Sequence, residues 1–109
     1  MARQPVVIPL RQRALRLLAA REHSRVELSR KLAPHADTPE ELEALLDDLE
    51  QRKQLSNTRY AEARSNLMSR KFGSARIAYD LRWKGVSDDE AAEAIASARG
   101  SDLDRARDV

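Results

Sequence analysis

A pattern written twice, 49 residues apart and without a gap, limits this chain more than any other feature. Ser24 answers Gly73, Leu28 answers Ile77 and Leu32 answers Leu81, while Thr38 with Glu41 answers Ser87 with Glu90. Self-similarity at such a period marks stacked supersecondary units rather than one large core. Within each copy the apolar positions recur at three and four residues, which is helical spacing. Ile77 and Leu81 share one face of the second copy, and Gly85 is placed to take the left-handed conformation that ends a helix. Ser87 and Glu90 then form a capping-box pattern, in which each side chain satisfies an amide left open at a helix start.

Three helices per copy follow. In the first unit, a helix from Pro9 to about Ala20 carries Leu10, Ala14, Leu17, Leu18 and Arg21 at 3.6-residue spacing. Ser24 and Glu27 open a second helix, with Val26, Leu28 and Leu32 on its apolar side, and Pro34 stops it. Thr38-Pro39-Glu40-Glu41 opens a third, with Leu42, Leu45, Leu46 and Leu49 in one stripe as far as about Arg52. In the second unit, Tyr60, Ala63, Leu67 and Met68 are expected to point inward on a helix ending near Lys71. Ser74 to Lys84 is the next helix. Ser87 to Arg99 is the last, with Ala91, Ala94, Ile95 and Ala98 inward and Gly100 closing it. The expected organisation is an arm over residues 1–8, one three-helix unit over 9–55, a second over 56–100, and the opening of a third over 101–109. The fold class is all-α, a right-handed or curved stack of tandem three-helix repeats.

Composition supports stacking. With 35% charged and 4% aromatic residues in 109, a single close-packed core is not available. Each unit has about eight sizeable apolar side chains, each contributing roughly 1.5–3 kcal/mol on burial. Ordering each residue costs about 1–2 kcal/mol in backbone entropy alone. One unit is therefore marginal, and packing on its neighbour stabilises it.

The residues exclude several kinds of chemistry. There is no cysteine, hence no disulfide or thiolate metal site, which suits a reducing cytoplasm. No glycine-rich phosphate loop, nucleophile–base pairing or metal-ligand spacing is present, so no catalytic residue, metal ligand or cofactor is expected. His23 and His35 stand apart from any cluster, and His23 lies where Phe72 stands in the second copy, which suits packing at a helix joint. The adjacent pairs Asp47-Asp48 and Asp88-Asp89 diverge by about 100° on a helix and do not converge on an ion. The N-terminal apolar patch is too short for a signal peptide or membrane span.

Charge alternates with the repeat. Residues 9–33 carry a net of +5, 34–56 a net of −5, 57–85 a net of +5 and 86–109 a net of −4. The first two helices of each unit are basic and the third acidic. Such blocks pair within the fold or present faces of opposite sign to partners. The candidate binding residues are therefore cationic: Arg16, Arg21, Arg25 and Lys31 in the first unit, and Arg64, Arg70, Lys71, Arg76 and Lys84 in the second. Arg21 aligns with Arg70, beside the joint between the first two helices of each unit. Regularly placed cations suit phosphates or an acidic groove. Trp83, the single tryptophan, is expected to pack at the junction between units rather than to stack on bases.

The first unit reads Ala14-Leu15-x-Leu17-Leu18-Ala19-x-Arg21-x-x-Ser24-Arg25-x-Glu27-Leu28-x-x-Lys31-Leu32. The second reads Leu55-Ser56-Asn57-x-Arg59-Tyr60-Ala61 and then Gly73-x-x-Arg76-Ile77-x-x-x-Leu81-x-x-Lys84-Gly85-Val86. In this order and at this separation, from Leu10 to Ala98, the chain resembles the RecX family, bacterial regulators of the RecA recombinase. The family usually has an aspartate where Asn57 stands, as a helix cap, a task asparagine also performs. Members typically have a third three-helix unit, which is missing after Val109. The resemblance implies a non-enzymatic, monomeric, cytoplasmic modulator. It would bind along the groove of a RecA filament on single-stranded DNA, and in some members DNA directly. Filament extension, ATPase and strand exchange would be inhibited.

Two other readings fit parts of the sequence. A short basic second helix imitates a helix-turn-helix DNA-binding module, although the helix after Thr38 is acidic and would be repelled by a groove. A plain helical scaffold would satisfy the repeat alone.

Overall fold

The structure, a computed structural model, describes the backbone of residues 7–107 and the side chains of residues 7–100. Four of the six helices start where a serine or threonine side chain accepts one of the open amides, and the first and fifth start without such a cap. Helix α1 (Leu10–Ala20) follows Pro9. Helix α2 (Arg25–Leu32) opens on a complete capping box: the Ser24 hydroxyl accepts the Glu27 amide at 3.1 Å, and Glu27 Oε1 accepts the Ser24 amide at 3.3 Å. A single 3-10 turn, Ala33–His35, carries Pro34 and ends it. Helix α3 (Pro39–Gln51) opens on Thr38, whose hydroxyl accepts the Glu41 amide. Helix α4 (Asn57–Met68) opens on Ser56, α5 (Ser74–Trp83) on Gly73, and α6 (Asp88–Arg107) after the Ser87–Glu90 box.

Two helices end in the same hydrogen-bonded turn. After α5, the Val86 amide donates to the Leu81 carbonyl and the Gly85 amide to that of Arg82, both at 3.0 Å, with Gly85 at φ 79°. After α3, the Gln54 amide donates to Leu49 and the Lys53 amide to Glu50, with Lys53 at φ 61°. The second turn therefore places a lysine in the left-handed region, which costs about 1–2 kcal/mol for a residue with a Cβ.

Burial separates into two cores, one per unit. The first gathers Ala14, Leu28, Leu32, Leu42, Leu45, Leu46, Leu49 and Leu55, as α2 packs on α1 and α3. The second gathers Tyr60, Ala61, Met68, Ile77, Leu81, Val86, Ala91, Ala94 and Ile95, as α4 and α5 pack on α6. The 49-residue correspondence holds through the second and third helices: Leu42 and Ala91, Leu45 and Ala94, Leu46 and Ile95, and Leu49 and Ala98 are all buried.

It fails in the first helix of the unit. Ala63 and Leu67, expected inside, are exposed, and Ala61 and Ser65 are buried in their place. An alanine face packs most closely against small side chains, so α4 turns Ala61 and Ser65 toward α6 and leaves Leu67 in solvent. Trp83, expected at the junction, is likewise 62% exposed, because Leu81 and Val86 on either side of it already close the turn. Gly100 does not end the last helix; α6 runs through it to Arg107. One helical glycine costs only about 1 kcal/mol, and the residues on both sides favour helix. The step from a sixth to a seventh helix expected at this point is therefore absent. Residues 1–6 of the expected arm, and 108–109, lie outside the described residues.

The units meet where the start of α2 touches the start of α4 and the α5–α6 turn. The Arg25 amide donates to Asn57 Oδ1 at 2.8 Å, and Arg59 Nε pairs with Glu22 at 3.0 Å. A Cβ on Gly85 would lie 2.2 Å from Val26 Cγ2, so Val26 closes directly on the turn. Asn57 is thus not the cap of α4, which is Ser56. Its amide instead spans the joint and fills an open amide at the start of α2.

Candidate functional site

The candidate cations fall into four settings, which differ in how much charge is left for a partner. Arg25 is spent inside the first unit. Its guanidinium meets Glu43 at 2.7 Å and Asp47 and Glu50 at 2.8 Å, pinning α2 to the acidic face of α3. Burial works against its charge, but three carboxylates raise its pKa above the ordinary value. The neighbouring Asp48 is held below its ordinary pKa by Arg11 and Arg52. Much of the acid in α3 therefore serves intramolecular pairing.

Arg21, Arg64 and Lys84 line a groove of about 310 Å³ between the units, together with Glu27 and Tyr60. Arg21 forks onto Glu27, Nη1 to Oε1 at 3.1 Å and Nη2 to Oε2 at 2.9 Å. Lys84 approaches the same carboxylate at 4.0 Å from the second unit. Burial alone would raise the Glu27 carboxyl, but the Arg21 fork, the Ser24 amide and the Lys84 charge hold it down at about 2. The bond to Glu27 raises Arg21 in turn. Burial, with the negative charges of Glu27 and Asp80, pushes the Tyr60 hydroxyl up to about 12. Arg64 pairs with Asp80 at 3.1 Å. Glu27 is the residue that sequence reasoning missed. It is legible only as a cap, whereas it also anchors Arg21 and faces the second unit.

Arg16 and Lys31 border a hollow of about 400 Å³ between α1 and α2, with Arg13 and His35 on its rim. Lys31 Nζ lies 2.9 Å from His23 Nε2, and His23 Nδ1 lies 3.0 Å from the Arg21 carbonyl. The carbonyl requires Nδ1 to carry the proton and donate, and the ammonium requires Nε2 to accept, so the ring is neutral. Burial, joined by the charges of Arg21 and Lys31, lowers its pKa. His23 thus packs at the helix joint.

Arg70, Lys71 and Arg76 stand exposed at the turn between α4 and α5. Arg76 lies over the Phe72 ring at 4.8 Å from its centroid, a cation–π contact. No carboxylate among the described residues pairs with any of the three. The repeat explains why. Arg70 occupies the place of Arg21, but Arg76 occupies the place of Glu27 and Gly73 that of Ser24. In the first unit this joint is closed by an ion pair and a capping box. In the second, the carboxylate has become a guanidinium, and two arginines face outward. Arg21 and Arg70 therefore do not repeat a role, although they align.

These features define a class: an all-helical protein of tandem three-helix units, with cations grouped at the joints of its shorter helices. The family profile described as "RecX, second three-helix domain" matches residues 56–95. "Regulatory protein RecX" of Leptothrix cholodnii is 48% identical over 102 residues, covering 94% of this chain and 65% of that protein. The protein of the same name from Herminiimonas arsenicoxydans is 41% identical, covering 94% of this chain and 68% of its own length. The crystal structure of RecX from Lactobacillus salivarius shares the fold, with a TM-score of 0.72 over 80% of this chain and 58% of that one, at 22% identity. The chain belongs to the RecX family. It spans about 65% of the length of the first relatives it matches. Among the described residues, no helix is long and apolar enough to cross a membrane.

Proposed function

We propose that this chain is a non-enzymatic regulator, acting as a cytoplasmic monomer. It binds the RecA filament on single-stranded DNA and restrains its extension, ATPase and strand exchange. Family membership supports RecA as the partner. The observation that carries the proposed surface is the open second joint, where Arg70, Lys71 and Arg76 project with no carboxylate partner among the described residues, whereas Arg21, the counterpart of Arg70, is held by Glu27. Exposed arginines of this kind suit carboxylate and phosphate groups, both of which a nucleoprotein filament presents. Arg64 and Lys84 flank the same side. Arg16 and Lys31 form a secondary patch, while Arg21 and Arg25 serve the fold.

The helix-turn-helix alternative receives less support. Arg25, at the start of its basic helix, is consumed by α3, whose carboxylates line the neighbouring face.

The test is RecA ATPase on single-stranded DNA with the chain titrated in. Reversing charge at Arg70, Lys71 and Arg76 together should abolish inhibition at unchanged helical content. Full inhibition by the folded triple variant would remove these residues from the site.

A further inference from the structure

Two of the four aromatic side chains stand in solvent side by side. Tyr79 and Trp83, four apart on α5, are 63% and 62% exposed, with ring centroids 6.2 Å apart and edge to face. They form a ridge that borders an open hollow on each side. On one side lies a hollow of about 490 Å³ bordered by Val26, Arg30 and Arg82. On the other lies one of about 770 Å³ bordered by Phe72, Arg76 and Lys84. Both hollows are rimmed by cations. The nearby carboxylates Asp80 and Asp88 are already held by Arg64 and Arg82, so Arg30 and Arg76 remain uncompensated among the described residues. Among the described residues, neither unit covers the ridge. The C-terminal half of α6 reaches Ser74 through Arg99, at the opposite end of α5, about 15 Å along a ten-residue helix.

From this we infer that the Tyr79–Trp83 ridge is a stacking site for unpaired bases of single-stranded nucleic acid, with Arg30 and Arg76 holding the phosphates on either side. Flat rings standing between cation-rimmed hollows match a strand whose bases are splayed and whose backbone is anionic. A duplex keeps its base faces covered and offers the ridge nothing to stack on. An acidic peptide would satisfy the cations but not the ring faces. The inference rests on the proposed function, whose filament contains such a strand, and it assigns that strand its own contact, distinct from contacts to the recombinase.

Trp83 is the single tryptophan, so its emission reports on the ridge alone. The experiment titrates the chain with a single-stranded oligothymidylate, the matching abasic oligonucleotide, a duplex of equal length and polyglutamate, without recombinase. The inference expects quenching by the oligothymidylate and little by the other three. Binding of a labelled oligothymidylate should weaken about tenfold in Trp83→Ala and in Tyr79→Ala, the range expected for loss of one stacked base. Trp83→Phe should retain most of the affinity. Because both rings are exposed, circular dichroism of the variants should be unchanged, and a ridge variant that unfolds is replaced by the other. Equal quenching by abasic strand or duplex, quenching by polyglutamate alone, or no response would overturn it. ATPase inhibition by Trp83→Ala is measured in parallel. Wild-type chain that inhibits while its Trp83 emission does not respond to the oligothymidylate rejects this inference only, whereas wild-type chain that never inhibits rejects the proposed function.

Discussion

Removing one charge at Glu27 should loosen the joint between the two units in a way that pH can reveal. In the folded chain this carboxyl stands at about 2, against an ordinary 4.5. A tenfold change in proton affinity is worth about 1.4 kcal/mol, so the difference corresponds to about 3 kcal/mol. Arg21 is half exposed, at 49%, and solvent screening of that partner reduces the figure to about 2 kcal/mol. Glu27→Gln keeps an acceptor for the Ser24 amide, so the cap of α2 survives, while the charge and the Arg21 Nη2 arm of the fork are lost. The sign follows from the depressed carboxyl: its contribution is complete above its unfolded value near 4.5 and disappears as pH falls toward about 2. Urea unfolding at pH 7 should show the variant about 2 kcal/mol less stable than the parent, and at pH 3 less than half of that gap should remain. An equal loss at both pH values would mean that packing, not charge, was removed. No loss at pH 7 would mean that the Arg21 fork contributes nothing to folding.

Further outcomes follow from the same structure. Leu81→Ala empties the centre of the second core and should cost about 2–5 kcal/mol, read as a lower unfolding midpoint; a negligible shift would contradict its burial. Lys53→Gly relieves a left-handed lysine and should stabilise by about 0.5–1 kcal/mol after the added unfolded-state entropy is counted, measured by chemical denaturation. Gly85→Ala should destabilise by more than the roughly 1–2 kcal/mol of the left-handed penalty, because its Cβ meets Val26 at 2.2 Å, and Val26→Ala in the same chain should recover part of the excess. His23 is neutral in the fold with a lowered pKa. Its contribution is therefore complete above its ordinary value near 6.5 and is lost as pH falls below that. A pH series of thermal melts should show this dependence in the parent and lose it in His23→Phe, which carries the residue of the second copy.

The repeat made the fold legible. Positions 28, 32, 42, 45, 46 and 49, with their counterparts 49 residues on, are apolar in both copies and buried in both. Caps at Ser24, Thr38 and Ser87 were readable because side chain and target amide lie within one turn. Contacts across the joint were not. Nothing local in the sequence says that Asn57 serves α2, or that Glu27 lies near both Arg21 and Lys84, because these pairings depend on how the units lean together. Period alone also could not choose the inner face of α4, where small Ala61 and Ser65 displaced larger Leu67. Of the cations, the sequence supplied the set but not its division. Arg25 looks like Arg76 on paper, yet one meets three carboxylates and the other meets solvent and a phenyl ring. The clue was present in the alignment of Glu27 with Arg76.

That alignment supplies the most direct measurement. Arg76→Glu restores in the second unit the arginine–glutamate arrangement that closes the first, with a single substitution at an exposed position. Binding of the chain to a RecA filament on labelled single-stranded DNA should weaken by about tenfold or more, the equivalent of roughly 1.4 kcal/mol, with the thermal midpoint unchanged or raised. Undiminished filament binding by that folded variant would contradict the claim that the open second joint is the contact surface.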